Sequence, residues 1–257
     1  MFDFGLMSHS KILVWTSTLF VIQCFLSSKY ICIVEQLLNN PVYNSLLLND
    51  ARLGAGSDKV KYFDAAVSPF AGFEDGYTKG FEDLYDMLPH GRKILYATPN
   101  EMAPPKEWQL VVAIKGLQFV FDKTIDDAIA FNPIPLQNEH IDQMVELANL
   151  TKPGPFNSRT IEFGHYFGVF EKDKLIAMTG QRLHVDQYTE ISAVCTHPDH
   201  LGKGYAATLV QHQVNLILSH QQIPYLHVRE DNDRAIKLYL RLGFKVRGPM
   251  NFYFMKK

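Results

Sequence analysis

The order of hydrophobic periodicities predicts an α+β protein, a mixed and mostly antiparallel sheet flanked by helices, with an additional α/β half on its N-terminal side. Three observations carry this. An amphipathic stripe from Ile141 to Leu150 is followed by two alternating runs joined at a short polar turn, Glu171 to Lys174. A strand-like run, Gln187 to Thr196, passes through a Pro-containing turn into Gly202-Lys203-Gly204 and opens directly into helix-forming sequence. Beyond that helix the chain alternates strand, helix and strand.

Taken in order, the chain starts with an awkward segment. Ile12 to Leu26 is an apolar run about the length of a signal-peptide core and too short to cross a bilayer comfortably. Only Lys11 precedes it as a cation, Asp3 offsets that charge, no A-x-A site follows, and Gln23 before Cys24 argues against lipid attachment. Three readings stand for residues 1–28: an extension from a misplaced start codon, a buried or docked segment, or an export or membrane signal. Glu35 to Val42 then reads as the capped start of a folded unit, so residues 29–132 are expected to form an N-terminal α/β half and residues 133–257 a second domain. Asn40-Pro41 begins a short helix through Leu48, and Gly72 to Leu88 carries a helical stripe interrupted by Gly76 and Gly80. Lys93 to Ala97 and Leu110 to Ile114 read as short strands, Pro104-Pro105 as a loop, and Asn132-Pro133-Ile134-Pro135 as a linker.

The second domain is plainer. The helix Ile141 to Leu150 is ended by Thr151-Lys152-Pro153-Gly154, and Tyr166 to Phe170 with Leu175 to Gln181 form a hairpin. Gln187 to Thr196 is the central strand, Gly204 to Ser219 a helix, Pro224 to Val228 the adjoining strand, and Arg234 to Leu242 a further helix. Phe244 to Val246 with Phe252 to Met255 are expected as a closing pair.

Composition excludes several classes. With 257 residues, a formal charge of −2 and 47% hydrophobic residues, the chain has room for one large or two modest globular domains and no basic excess for nucleic acid. Cys24, Cys32 and Cys195 are too few and irregular for a disulfide framework, and no CxxC or HExxH spacing offers a zinc site. His197 and His200 lack partners for a metal and read as loop surface. No metal, nucleic acid or membrane partner is expected, and the location expected is cytoplasmic.

The glycine loop has the layout of a phosphate cradle. Glycines let the backbone approach a ligand, and the unpaired N–H groups of a first helical turn face an anion. A nucleotide P-loop fails, because Lys203 is followed by Gly204 rather than Ser or Thr. A dinucleotide fingerprint fits on paper, with Gly202, Gly204 and Ala207 as GxGxxA and Glu230 ending a later strand, but the first glycine lies too far from its strand and too little chain follows. A turn that merely joins strand to helix is the plain alternative.

The run Val194 to Ala207, VCTHPDHLGKGYAA, resembles the core motif of the GNAT superfamily of N-acetyltransferases, V-x-V-x-P followed shortly by Arg or Gln, then x-x-G-x-G or A. Gly204 and Ala206 fill the last two places, Thr196 replaces the second valine, and Leu201 departs from the usual Arg or Gln. Downstream, Asn232, Ala235, Leu238, Tyr239, Gly243 and Phe244 match the same family's N-x-x-A-x-x-L-Y-x-x-x-G-F signature at every marked position. The resemblance covers roughly residues 133–257 and is closest to two-part members with an extra N-terminal half. It implies acetyl-CoA as co-substrate, transferred directly in a ternary complex to a primary amine of a small-molecule or peptide acceptor. Val194, Cys195, Thr196, Gly202, Lys203, Gly204, Tyr205, Ala206, Ala207 and Asn232 are then the expected CoA-binding residues, with Lys203 and Arg234 flanking the phosphates.

Thioester aminolysis sets three tasks: a neutral amine, a stabilised carbonyl oxygen and a protonated leaving thiolate. An alkyl amine with pKa about 10 is mostly charged at pH 7, so a base helps. Glu190 is the candidate, resembling the glutamate base of the histone-modifying branch; a solvated carboxylate at the strand edge is the plain reading. The backbone N–H near Cys195 and Thr196 would serve the carbonyl oxygen if the central strand splays from Pro224 to Val228. Cys195 itself reads as a strand residue rather than a nucleophile. Tyr239, a core aromatic on the plain reading, is by the resemblance the phenol that protonates the CoA sulfur. A non-catalytic acyl-CoA-binding or regulatory module is the alternative from another class.

Overall fold

The computed structural model describes residues 35–123 and 131–257. The Ile12 to Leu26 run, Cys24 and Cys32 lie outside them. The chain divides after Leu38, and the sheets and their flanking helices belong to Asn39–Lys257.

Helix α1, Pro41–Leu47, starts with proline in its first turn, where the missing N–H costs no helical bond. Strands β1 (Gly54–Gly56), β2 (Val60–Phe63) and β3 (Ala71–Phe73) form a small antiparallel sheet in that order. The stripe read as helical from Gly72 is thus helical only in α2, Gly80–Met87. Ala71–Phe73 pairs with Val60–Tyr62, and that ladder overrides the local periodicity.

The other strands make one eight-stranded sheet. They are β4 (Lys93–Thr98), β5 (Gln109–Phe121), β6 (Ile134–Pro135), β7 (Phe167–Glu171), β8 (Lys174–Val185), β9 (Tyr188–Thr196), β10 (Ile223–Arg229) and β11 (Phe244–Lys256). Their spatial order is β4-β11-β5-β10-β9-β8-β7-β6. Among the described residues, β9 and β10 are the one parallel pair in it. Helix α3 (Ile141–Thr151) ends on Lys152 at φ 51, and the β7–β8 hairpin turns on Lys172 and Asp173 at φ 50 and 65, the twist that two-residue hairpins favour. Helices α4 (Tyr205–Ser219) and α5 (Asp233–Arg241) flank β10 in sequence, as the βαβ order predicts.

The expected closing pair does not form. Instead β11 is continuous, and β5, from the N-terminal side of the chain, lies between β10 and β11 and pairs with both. Gly248-Pro249, the glycine and proline between the two runs of that pair, are absorbed by a bulge between Val246 and Gly248; Pro249 stands before the β4 ladder begins at Asn251, where a missing donor is tolerated. The strand β5 is also far longer than Leu110 to Ile114. Gly116 looks like its end, yet a Cβ there would lie 3.0 Å from both Met250 O and Val228 O, so glycine is what lets β5 pass between its neighbours. The linker read at Asn132 to Pro135 contributes β6.

Two clusters hold this together. Phe119, Ile191, Val210, Val214, Ile217, Leu226, Tyr239 and Phe244 bury α4 and α5 on the sheet. Val60, Leu84, Ile94, Trp108, Tyr253 and Met255 join the small sheet and α2 to the β4–β11 edge. A fully buried Phe such as Phe119 is worth roughly 1.5–3 kcal/mol of apolar transfer. No helix among the described residues is long and apolar enough to cross a membrane.

Candidate active site

The parallel pair β9–β10 parts midway. Its register runs from Tyr188 and Ile223 to Glu190 and Tyr225 and stops, although β9 continues to Thr196 and β10 to Arg229. The β10 side of Ile191 to Thr196 is thus left without a ladder, the splay expected at Cys195 and Thr196. Opposite it, β8 shifts register between Met178 and Gly180 against β9, and Ala193 takes φ 52, a bulge that re-aims the main chain of Ala193 to Cys195.

A cavity of about 970 Å³ opens at the splay, and every donor-site and catalytic residue expected from the sequence borders it. On one side Gly202 and Gly204 adopt φ 81 and 83, and a Cβ at either would meet nothing within 4 Å. The backbone there is bare. The first intrahelical bond of α4 is Thr208 N–H to Gly204 O at 3.1 Å, so the amides of Tyr205, Ala206 and Ala207 precede the helical ladder. Lys203 and Arg234 also border the cavity, together with Lys237 and Arg241. Leu201, 47% exposed, sits where the family motif carries Arg or Gln.

Asn232 has a structural task beside its place on the cavity: its Oδ1 accepts the Ala235 N–H at 3.1 Å and caps α5. From α5, Tyr239 reaches the cavity wall between Phe119 and Phe244, at ring distances of 6.2 and 6.0 Å. Burial pushes its phenol up to about 12, which keeps it a protonated donor. Burial likewise raises the Cys195 thiol to about 11, so no thiolate is available there.

The other side is built from side chains. Glu190 is 1% exposed, which removes the solvated-edge reading. Arg182 donates to it twice, Nε to Oε2 at 2.9 Å and Nη2 to Oε1 at 2.8 Å, and His227 Nδ1 lies 2.8 Å from Oε1. Burial alone would raise this carboxyl, but Arg182 and then His227 outweigh it and hold it at about 2. A carboxylate already accepting three charge-assisted or ring N–H bonds has little tendency to take an amine's proton directly.

The same chain of bonds continues across the sheet. Arg247 in the β11 bulge donates to Gln118 Oε1 at 2.8 Å, and Gln118 Nε2 lies 2.9 Å from His227 Nε2. An arginine can only donate, so the amide presents its NH₂ to the ring; His227 accepts at Nε2 and donates from Nδ1 to Glu190. Around this network Phe70 stacks under the Arg182 guanidinium at 4.8 Å, and Phe252 meets the His227 ring at 5.3 Å. Phe70, Leu95, Ile114 and Phe252 also line the cavity.

Sequence reasoning misses Arg182, His227, Gln118 and Arg247 as site residues. The available signal is a polar residue on the inward face of a strand, as in QRLH and YLHVR. His197 caps a short turn through Asp199 N–H, and no group of three or more potential metal ligands occurs among the described residues.

Comparison with known proteins agrees with this geometry. A family model described as FR47-like protein matches residues 166–254. A putative acetyltransferase of the GNAT family from Novosphingobium aromaticivorans is 31% identical, with a TM-score of 0.80 over 86% of this chain and 98% of that one. The fold is shared with a GCN5-related N-acetyltransferase from Kribbella flavida (TM-score 0.54, 13% identity, 83% of this chain and 93% of that). It is shared also with a Drosophila protein (TM-score 0.55, 14% identity, 77% and 73%). No curated protein matches. The chain belongs to the GNAT family of acetyltransferases.

Proposed function

We propose that this protein is an N-acetyltransferase that moves the acetyl group of acetyl-CoA directly to a primary amine of a small-molecule or peptide acceptor. The observation that carries the reading is the junction of three features on one cavity: a bare glycine loop at a helix N-terminus, a parted pair of parallel strands, and a buried phenol.

The loop fits the donor. Gly202 to Ala207 would hold the diphosphate on backbone amides, with Lys203, Arg234, Lys237 and Arg241 supplying positive charge around the phosphates. The donor brings a thioester whose carbonyl is open to an amine. On its β10 side, where the ladder has ended, β9 from Ile191 to Thr196 would offer main-chain N–H groups to the pantetheine and to the carbonyl oxygen, while its other edge stays paired with β8. Tyr239 holds a proton for the departing sulfur. Its neutral state to about 12 suits a donor to a thiolate with conjugate-acid pKa about 8.5. Glu190 acts through its bonds, fixing Arg182 and His227 in the acceptor wall. Phe70, Leu95 and Ile114 complete this wall; residues 29–132 we read as an N-terminal α/β half and residues 133–257 as the acetyltransferase domain, and the ordinary composition suits the cytoplasm.

Calorimetry with acetyl-CoA and thiol release with candidate amines test the proposal. Saturable binding with amine-dependent thiol release is the expected result. Binding without release for any amine would leave a non-catalytic acyl-CoA-binding module, and absence of binding would end the reading.

A further inference from the structure

The acceptor wall differs from what a cationic substrate needs. At pH 7 an alkylamine is almost entirely ammonium, so a site for it requires a carboxylate to receive the charge and a base to remove the proton before attack. The described wall offers neither. Glu190 has both oxygens engaged by Arg182 and His227, and the positive guanidinium is the nearest charge to it. The one acceptor nitrogen of His227 already takes the Gln118 amide, which Arg247 holds in that orientation. Taking a substrate proton at His227 Nε2 would set an N–H against an NH₂ donor. Of the other titratable groups on the cavity, Cys195 and Tyr239 beside the parted strands are pushed up to about 11 and 12 by burial and stay protonated, the lysine and arginine side chains supply no carboxylate, and His200 and Tyr205 stand on the glycine-loop side, His200 with its Nδ1 3.4 Å from Lys203 Nζ. Beside the network Phe70, Leu95, Ile114 and Phe252 give apolar surface that would strip water from an ammonium without replacing it.

From this geometry we infer that the acceptor is an apolar amine already neutral near pH 7, of which an arylamine is the type. The inference rests on the acetyltransferase reading above and names its acceptor class. In the transfer a C–N bond forms as the C–S bond breaks; Tyr239 gives its proton to the sulfur, and the N–H proton leaving the amine passes to the Tyr239 oxygen, directly or through water, so the phenol is restored. A neutral amine thus yields a neutral amide and a thiol with no net proton exchange, and no enzyme group need be deprotonated beforehand. Phe70 and Phe252, tilted at 56° with ring centroids 6.3 Å apart, give this wall aromatic surface on which an aromatic body can rest.

The test compares two isomers, 4-methylaniline and benzylamine, with the full chain and saturating acetyl-CoA, read by thiol release and by chromatography of the amide. For 4-methylaniline, kcat/KM is expected to be about 100-fold or more above that of benzylamine at pH 7 and level from pH 6 to 8, while that of benzylamine climbs about tenfold per pH unit with its neutral fraction. Benzylamine equal or better at pH 7 would overturn the inference, as would a 4-methylaniline profile that collapses as pH falls from 8 to 6, the mark of an enzyme base. Calorimetry on the same preparation separates the two levels. Acetyl-CoA bound with neither isomer acetylated refutes the acceptor class and leaves the donor reading standing, whereas no acetyl-CoA binding refutes both.

Discussion

The two walls of the cavity are made of different material. The donor wall is main chain: two glycines at positive φ, the amides of a helix start, and half a strand open on its β10 side. The acceptor wall is side chain, a buried relay from Arg247 through Gln118, His227 and Glu190 to Arg182 that crosses β11, β5, β10, β9 and β8 between aromatic rings. Backbone donors tolerate change in the residues that carry them, so long as the φ values survive. A relay of side chains fails at any link, because each buried group left without its partner keeps its full desolvation penalty. The donor wall should therefore be sensitive to conformation and the acceptor wall to chemistry.

The most damaging change should fall on the relay. Arg182→Met leaves the Glu190 carboxylate in a buried place with only His227 to answer it, and a loss of about 3–5 kcal/mol in urea unfolding at pH 7 is expected. The sign with pH comes from the depressed carboxyl. Its folded value of about 2 lies below the ordinary 4.5, so the pair's contribution is complete above 4.5 and is lost as pH falls toward 2. The double variant Arg182→Met, Glu190→Gln should lose less stability over that interval than the native chain does. A native-like urea midpoint for Arg182→Met would break the comparison at its acceptor side.

Tyr239 joins the walls, and its change should act on the reaction alone. Tyr239→Phe keeps the ring between Phe119 and Phe244 and removes the hydroxyl we propose protonates the sulfur, so turnover should fall by about 10²–10⁴ with acetyl-CoA affinity little altered. With the phenol raised to about 12, the native enzyme should show no alkaline loss from this group between pH 6 and 9. Unchanged turnover with collapsed affinity would make Tyr239 a packing residue.

The contrast also explains why one wall is legible in the sequence and the other is not. The donor wall lies in one unbroken stretch, Val194 to Ala207, and a helix cap with its stripe, Asn232 to Gly243, so local spacing encodes it. Even the parting of β9 from β10 follows from the main-chain donors that a thioester carbonyl near Cys195 and Thr196 would need. The acceptor wall draws each residue from a different strand, and nothing local tells which inward polar residues will meet. The N-terminal side hides most. Strand β5 ends prematurely on paper because Gly116 looks like a break, and only its passage between Val228 and Met250 explains the glycine. The closing pair is misleading for the same reason: Gly248-Pro249 has turn chemistry, and a distant strand, β5, outcompetes the hairpin for β11.

Conformation on the donor side is tested by Gly204→Val. At φ 83 a β-branched residue is strained by about 1–3 kcal/mol, and its side chain also enters the space the cradle leaves open, so acetyl-CoA affinity should weaken roughly ten- to hundredfold by calorimetry. Ala206→Glu keeps the helix and sets a carboxylate beside the phosphates, with a loss of similar direction. Retained affinity in both would remove the loop assignment.

The smallest effect is the most discriminating for the idea of a wall made of main chain. Leu201 stands exposed at the lip of the loop where the family motif carries Arg or Gln, so here the loop lacks one side-chain donor. Leu201→Arg adds a cation near the phosphates while leaving every backbone amide in place. An exposed charge so placed is worth about 0.3–1 kcal/mol, which corresponds to acetyl-CoA binding tighter by roughly two- to fivefold, and salt should erase the gain. An increase of a hundredfold would mean that side chains dominate the donor wall after all. A small, salt-sensitive gain is expected if the amides of Gly202 to Ala207 already supply nearly all of the grip.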